Sequence, residues 1–151
     1  MIGVGAEAPR FVMPDQDGEE FRLADHIGER ILLVFYPADF SPVCTDQLSI
    51  YEEVRPEFED LETTVVGISA DTQWAHRAFS DQLGVKMRLL SDFHPKGAVS
   101  QAYDAYLDEF GHPARALVLI APDGRVEWTH QTADPSQMPG VNLVFDALSR
   151  D

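Results

Sequence analysis

The sequence predicts an α/β fold in which helices cover both faces of a mixed central sheet. Two apolar runs rich in strand-forming residues, 31–36 and 63–69, are each followed by apolar side chains at helical spacing. Two further runs, 116–120 and 126–130, flank a Pro-Asp-Gly turn, which is typical of an antiparallel hairpin. Two β–α units followed by an antiparallel pair and a final helix require both parallel and antiparallel pairing.

The first third of the chain predicts a hairpin, a strand and a long helix. Asp17-Gly18 lies between the apolar segments 11–13 and 21–23, as in a tight β-hairpin. The buried strand ends at Pro37, and an amphipathic helix follows Cys44, with a bend expected near Pro56. The apolar positions that define this helix are Leu48, Tyr51, Val54, Phe58 and Leu61.

The middle of the chain predicts a second helix after the strand 63–69. Asp71 is the expected N-cap of this helix, which runs through Leu83. We expect Trp74, Ala78 and Phe79 to face inward. Three more elements complete the prediction: a short extended segment at 87–90, a short helix around 98–103, and a final helix that begins just after Gly140 with Asn142 near its start.

Length and charge restrict the class of protein. The chain has 151 residues, 44% of them hydrophobic, which predicts one globular domain over residues 1–151. A formal net charge of −15 disfavours nucleic acids and anionic membranes as partners. No apolar run approaches the length of a membrane span, and the N-terminus lacks the pattern of a signal peptide. We therefore expect a soluble cytoplasmic protein.

Cys44 is the single cysteine, which excludes a disulfide within the chain and fits a reducing compartment. It lies where a strand gives way to a helix, and the partial positive charge and free N–H groups of a helix start favour the thiolate. The simpler interpretation is a buried cysteine that acts as a small hydrophobic residue. Because open α/β sheets place their chemistry where strands end and helices start, the position favours a reactive thiol.

The order of elements is that of the thioredoxin-like fold, here with an N-terminal β-hairpin. In proteins of this fold the same turn usually carries Cys-x-x-Cys, whereas this chain has Ser41-Pro42-Val43-Cys44. A hydroxyl cannot form a disulfide with Cys44, so dithiol exchange within the chain is excluded. The Ser41 hydroxyl can still form a hydrogen bond with a bound oxygen.

Pro37-x-x-x-Ser41-x-x-Cys44 resembles the Pro-x-x-x-Thr/Ser-x-x-Cys signature of the peroxiredoxins, thiol peroxidases that reduce hydroperoxides. Arg115, which opens the strand 116–120, matches the active-site arginine of that family. The resemblance covers nearly the whole chain. It is particularly close at residues 89–103, which are similar to the one-cysteine alkyl hydroperoxide reductase E group of actinobacteria.

Two residues depart from the commoner pattern of the family. Ser41 stands where most members have threonine, and it lacks the methyl group that helps to fix the hydroxyl rotamer. Gln47 stands where many members have glutamate, so a neutral amide replaces a carboxylate near the site. We expect activity with looser positioning of the hydroxyl and no carboxylate role at position 47.

The resemblance implies a role for each residue of the motif. Cys44 attacks the peroxide as a thiolate, and Arg115 stabilises both that thiolate and the charge that develops on the oxygens. Ser41, with N–H groups near Val43, holds the peroxide in line with the sulfur, while Pro37 excludes water. Val43 and Phe40 are the candidate substrate-binding residues. The Phe40 ring either packs in the core or lies at a dimer contact, and we favour the dimer contact.

The partners are inferred from the single cysteine and from the resemblance. Oxidised Cys44 is a sulfenic acid, which here only a thiol from outside the chain can resolve. The resemblance implies a low-molecular-weight thiol or a redoxin as reductant, for example mycothiol with a mycoredoxin, and a homodimer. No cofactor and no metal are predicted. The histidines show no metal-ligand spacing and are interpreted as residues of the surface or of the surroundings of the site: His26, His76, His94, His112 and His130.

Two other functions remain open on the same scaffold. A thiol-exchange or protein-binding role predicts little reaction of Cys44 with peroxide but ready formation of mixed disulfides. A non-catalytic peroxide sensor predicts oxidation of Cys44 without sustained turnover. The absence of Cys-x-x-Cys and the presence of Arg115 favour the peroxidase over the exchange protein.

Overall fold

The structure, a computed structural model, describes residues 1–132 and 140–149. The strands are β1 (Val12–Pro14), β2 (Glu20–Arg22), β3 (Arg30–Phe35), β4 (Thr63–Ser69), β5 (Arg88–Ser91), β6 (Tyr106–Leu107), β7 (His112–Pro113), β8 (Ala116–Ile120) and β9 (Val126–Gln131). The α-helices are α1 (Pro42–Glu53), α2 (Arg55–Asp60), α3 (Gln73–Leu83), α4 (Ala98–Ala102) and α5 (Val141–Leu148). A 3-10 helix, Leu23–His26, precedes β3.

The central sheet has the strand order β5-β4-β3-β8-β9. Strand β3 pairs in parallel with β4, and β4 in parallel with β5. Strand β8 pairs with β3 and β9 pairs with β8, both antiparallel, so the prediction of a mixed sheet is confirmed. The predicted N-terminal hairpin is also confirmed, since β1 and β2 pair antiparallel with Val12 opposite Arg22.

The alternation of side chains along β3 builds two separate cores. Ile31, Leu33 and Phe35 lie in the core beneath the N-terminal hairpin, where Val99 of α4 also packs. Leu32 and Val34 lie in the core on the opposite face. That second core receives side chains from four helices, namely Leu48 of α1, Phe58 of α2, Phe79 of α3 and Val144 of α5. Helices therefore cover both faces of the sheet, as predicted.

Two boundaries differ from the prediction. Helix α1 begins at Pro42, so that Cys44 lies inside its first turn and not before it. The cap of α3 is Thr72 and not Asp71, because the Thr72 hydroxyl accepts the N–H of Ala75 at 3.2 Å. The bend expected near Pro56 is confirmed as the junction between α1 and α2, since proline has no N–H to continue the helical ladder.

The predicted inward face of α3 is partly wrong. Trp74 is 74% exposed and Ala78 is exposed, whereas Phe79 is fully buried as expected. The buried face consists of His76, Phe79 and Ser80, which places Trp74 on the side of the helix away from the core. The antiparallel pair of β6 and β7 is absent from the prediction, because strands of two residues carry no periodicity.

No helix among the described residues is both long enough and apolar enough to cross a membrane. The predicted single domain over residues 1–151 stays a prediction, because residues 133–139 and 150–151 lie outside the described part of the chain.

Candidate active site

Cys44 lies in the first turn of α1, directly beyond the carboxyl end of β3. Ser41 is the N-cap of this helix and Pro42 is its first residue, a position that needs no backbone N–H. The first-turn N–H groups have no carbonyl partner within the helix, so their partial positive charge lies close to the sulfur. The Cys44 side chain is fully buried in the core that contains Leu48 and Val34.

Arg115 is the residue that contacts the sulfur directly. Its Nη2 donates to Cys44 Sγ at 3.3 Å, and only 2% of the residue is exposed. The position is set by the sheet register: Ala116 is opposite Phe35 in the antiparallel pairing of β8 with β3, so Arg115 lies beside the loop that leaves β3. A buried cation next to the sulfur favours the thiolate by direct electrostatic attraction.

Gln47 holds the other arm of the Arg115 fork. Arg115 Nη1 donates to Gln47 Oε1 at 2.8 Å, and Gln47 is fully buried. Cys44 and Gln47 are three residues apart on α1 and therefore lie on the same helix face. The backbone of Arg115 is fixed as well, because the N–H and the hydroxyl of Thr132 both donate to its carbonyl oxygen, at 3.1 and 3.3 Å. The guanidinium is thus oriented from both ends.

Tyr51 continues the polar side of α1 one turn beyond Gln47. Burial raises the pKa of Tyr51 from its ordinary value of 10.0 to about 12. Among the described residues the Tyr51 hydroxyl makes no well-formed hydrogen bond, although the Gln47 side chain is near enough to oppose this rise of the pKa. The phenol is therefore a weakly satisfied buried group.

Ser41 caps α1 with its backbone and leaves its hydroxyl unused. The carbonyl oxygen of Ser41 accepts from both the N–H and the hydroxyl of Thr45, each at 2.9 Å. The Ser41 hydroxyl is buried and has no partner among the described residues, although serine hydroxyls at this position ordinarily cap the helix. It is therefore available to a ligand that enters the site.

The other predicted site residues lie on the loop after β3 and in the first turn of α1, at different depths. Pro37 and Val43 are half-buried. Phe40 is 48% exposed and has a left-handed φ of 67°, an unusual value for a bulky residue. Its ring centroid lies 5.0 Å from that of Phe79 on α3. The structure thus brings Cys44 and Arg115 into contact, whereas the Phe40 ring packs toward α3.

A buried network behind the loop is not predicted by the sequence patterns. The Tyr36 hydroxyl donates to Asp39 Oδ1 at 2.6 Å, and His76 Nδ1 lies 2.7 Å from Asp39 Oδ2. Burial and the Asp39 charge hold the pKa of Tyr36 well above its ordinary value. The Asp39 N–H donates to Asp71 Oδ2 at 2.9 Å. The signal that could have found this network is the parallel pairing of the strands that precede Asp39 and Asp71, because it brings their carboxyl ends together.

The same network has the residue types of a metal site. Asp39, Asp71 and His76 place ligand-type atoms within 4.8 Å of one another. His76 and Asp39 contact each other, Asp71 accepts from the Asp39 N–H and the Ser69 hydroxyl, and His76 Nε2 lies 3.0 Å from the Leu90 carbonyl oxygen. Hydrogen bonds within the protein therefore satisfy the group.

Comparison with known proteins places this geometry in a family. Residues 4–129 match the model of the AhpC/TSA family. Alkyl hydroperoxide reductase E of Mycobacterium tuberculosis is 33% identical over 150 residues, covering 99% of this chain and 97% of the relative. Peroxiredoxin Bcp of Bacillus subtilis is 30% identical over 135 residues, covering 84% of this chain and 85% of the relative.

A solved structure agrees with the sequence comparisons. The reduced 2-Cys peroxiredoxin of Plasmodium vivax superposes with a TM-score of 0.87 at 27% identity, covering 96% of this chain and 79% of that one. The thioredoxin-like fold predicted from the order of elements is therefore confirmed. With its matching family model, its relatives and its fold, the chain belongs to the AhpC/TSA family and is a peroxiredoxin.

Proposed function

We propose that Cys44 is the nucleophile of a one-cysteine peroxidase that reduces hydrogen peroxide and organic hydroperoxides. The chain is a thiol-dependent peroxidase by family. The observation that carries the assignment of the nucleophile is the 3.3 Å contact between Arg115 Nη2 and Cys44 Sγ inside the first turn of α1. The guanidinium and the helix start together supply a permanent positive field at the one sulfur that can react.

The chemical step is a displacement at oxygen. The Cys44 thiolate attacks the outer oxygen of ROOH, an S–O bond forms, and the O–O bond breaks with its electron pair leaving on RO⁻. Cys44 becomes a sulfenic acid, because the attacked oxygen keeps its hydrogen, and RO⁻ takes a proton from water to give ROH. The Arg115 guanidinium stabilises the negative charge as it moves from sulfur to the leaving oxygen.

Ser41 and its neighbours position the peroxide. The buried Ser41 hydroxyl, which makes no bond to other described residues, donates to or accepts from the peroxide oxygens. The first-turn N–H groups around Val43 donate to the same oxygens. Pro37 shields the loop from water, and Phe40 forms the apolar rim that receives the organic part of a hydroperoxide.

An external thiol completes the cycle. This thiol, R′SH, attacks the Cys44 sulfenic acid, forming a mixed disulfide and releasing water, and a second thiol then frees Cys44 as R′SSR′ departs. The sequence holds one cysteine, so no second sulfur of the same chain can take this part. The reductant is a low-molecular-weight thiol or a redoxin, and the reducing cytoplasm is the compartment that maintains it.

A homodimer is the proposed assembly. Trp74 and Phe93 are 74% and 51% exposed and line one cleft, and Phe93 also lines a second cleft with Pro37. Exposed aromatic side chains grouped beside a functional loop are typical of an interface. Sedimentation equilibrium tests this directly: a dimer mass supports the assembly, and a monomer mass over the whole working concentration range refutes it.

The decisive experiment mixes reduced protein with a stoichiometric amount of hydroperoxide in a stopped-flow instrument and traps the product with dimedone. We expect oxidation of Cys44 to a dimedone-trapped sulfenic acid, far faster than that of free cysteine, and no reaction in Cys44→Ser. Oxidation at the rate of a free thiol contradicts the assignment and favours a thiol-exchange protein. Fast oxidation without turnover, whichever thiol or redoxin is supplied, favours a peroxide sensor.

A further inference from the structure

The buried pair of Asp39 and His76 takes no part in the peroxide chemistry, yet it borders the active-site loop. The side chains are 1% and 0% exposed, and His76 Nδ1 lies 2.7 Å from Asp39 Oδ2. Asp39 belongs to the loop of residues 36–41 that joins β3 to α1, while His76 lies on α3. Polar groups buried at this depth persist only where they are hydrogen-bonded.

The His76 ring is held at both of its nitrogens. Nδ1 lies 2.7 Å from the Asp39 carboxylate, and Nε2 lies 3.0 Å from the carbonyl oxygen of Leu90. Asp39 is held in the same way, since its second oxygen accepts from the Tyr36 hydroxyl at 2.6 Å. The result is a buried, hydrogen-bonded pair whose contacts fix the direction of both side chains.

Helix α3 holds two consecutive residues of the loop from one face. His76 and Phe79 are three residues apart and lie on the same side of α3. His76 bonds Asp39, and the Phe79 ring lies 5.0 Å from that of Phe40. A third restraint comes from Asp71, whose Oδ2 accepts the Asp39 N–H at 2.9 Å. Phe40, which has a left-handed φ of 67°, is therefore held through its ring and through the residue that precedes it.

The catalytic machinery begins immediately after Phe40 in the chain. Ser41 is the next residue, and the first turn of α1 with Cys44 begins at Pro42. From this arrangement we infer that His76, acting through Asp39, is a positioning residue for peroxide reduction. The pair holds the loop so that the Ser41 hydroxyl, the first-turn N–H groups and the Cys44 sulfur converge on one peroxide. This inference rests on the proposed function of Cys44.

The test compares two reactions of Cys44 in His76→Gln. Glutamine can donate to Asp39 or to the Leu90 carbonyl but does not have the reach for both. We expect the second-order rate constant with hydroperoxide to fall by at least about tenfold, as for other lost positioning contacts. The rate of alkylation by iodoacetamide should rise, because a loosened loop exposes a sulfur that needs no alignment for this reaction. Since alkylation does not require peroxidase activity, it tests the inference even if the proposed function fails.

A matched control removes an equivalent contact elsewhere. His26 Nδ1 also lies 2.7 Å from a carboxylate, that of Glu29, in and after the 3-10 helix. His26→Gln should leave both rate constants unchanged. If His76→Gln does not fold, Asp39→Asn weakens the same contact with an isosteric side chain and is judged by the same two rates. A peroxide rate within about twofold of wild type, or equal falls in both rates, overturns the inference.

Discussion

Arg115 and Cys44 are 71 positions apart in the sequence, and their side chains meet with 3.3 Å between Nη2 and Sγ. The antiparallel pairing of β8 with β3 creates this contact, because it sets the start of one strand beside the end of the other. The other arm of the guanidinium reaches Gln47 Oε1 at 2.8 Å. A planar fork that spans two acceptors is a property of arginine that lysine lacks.

Arg115→Lys tests whether charge alone is enough. We expect the rate constant for Cys44 oxidation to fall by about 10²- to 10³-fold, the loss typical for removal of one preorganised donor, since an ammonium cannot bond both the sulfur and Gln47. Stopped-flow oxidation measures this rate, and circular dichroism verifies the fold. A lysine variant as fast as the wild type would show that the field matters and the geometry does not.

Ser41→Ala tests the unused hydroxyl. Because the Ser41 side chain does not cap α1, its removal should leave thermal stability nearly unchanged. The peroxide rate should fall by about 10- to 100-fold, which corresponds to one hydrogen bond to a charged group. Ser41→Thr is the matched control, since it keeps the hydroxyl and should retain the wild-type rate or exceed it. A large loss of stability in Ser41→Ala, with an unchanged rate, would assign the residue to the fold alone.

Gln47→Glu tests the neutral amide beside the arginine. A carboxylate at this position bonds Arg115 more strongly and adds a negative charge near the sulfur, which disfavours the thiolate. We expect a smaller fraction of Cys44 to be thiolate at neutral pH, measured by ultraviolet absorbance and by the pH profile of alkylation. Ser49→Glu adds the same charge on the exposed side of α1 and should have little effect. An unchanged thiolate fraction in Gln47→Glu would refute the electrostatic argument.

Tyr51→Phe tests the buried phenol through stability against pH. The pKa of Tyr51 is about 12 in the folded chain against an ordinary value of 10.0, so the unfolded chain loses this proton first as pH rises. Below about pH 10 the Tyr51 proton is bound in both states and the free energy of unfolding does not depend on it. Between pH 10 and 12 its ionisation in the unfolded chain lowers the free energy of unfolding by about 2 to 3 kcal/mol. Urea unfolding at neutral and alkaline pH should show a shallower alkaline decline in Tyr51→Phe.

The same variant should be at least as stable as the wild type at neutral pH. Among the described residues the Tyr51 hydroxyl has no well-formed hydrogen bond, so its removal relieves a buried polar group and loses only a weak interaction with Gln47. Parallel alkaline declines in the two proteins would contradict the assignment of this titration to Tyr51.

The inner strands of the sheet were predictable because β3 and β8 are apolar over nearly their whole length and β4 over its middle. The predicted bounds of β4 match the observed ones, and those of β3 are displaced by one residue. A continuous apolar run such as 31–36 is typical of a strand that is buried on both faces, so its position is visible in the sequence. Cys44 and Arg115 were predictable from the motif and the resemblance. The orientation of α3 was not, because Trp74 and Phe79 are both apolar and only the contacts of the folded chain decide which of them is buried.

The network of Asp39 and His76 was hidden for a different reason. Each residue taken alone has an ordinary sequence context, and the polar side chains of a loop and a helix give no periodic signal. The two residues come into contact only because the parallel pairing of β3 with β4 brings the segments that follow these strands together. Buried polar pairs of this kind depend on tertiary structure and cannot be read from local pattern.

Because Cys44 is completely buried, oxidation by a peroxide and reduction by a thiol place different demands on the space around the sulfur. A peroxide brings two small oxygens to the sulfur, whereas a thiol must build an S–S bond of about 2.05 Å and place its own carbon chain alongside. If Cys44 is the nucleophile, as proposed, we expect the first turn of α1 to move aside for the reducing thiol. At high reductant concentration the turnover rate should then reach a plateau that is set by this opening and no longer by the supply of thiol.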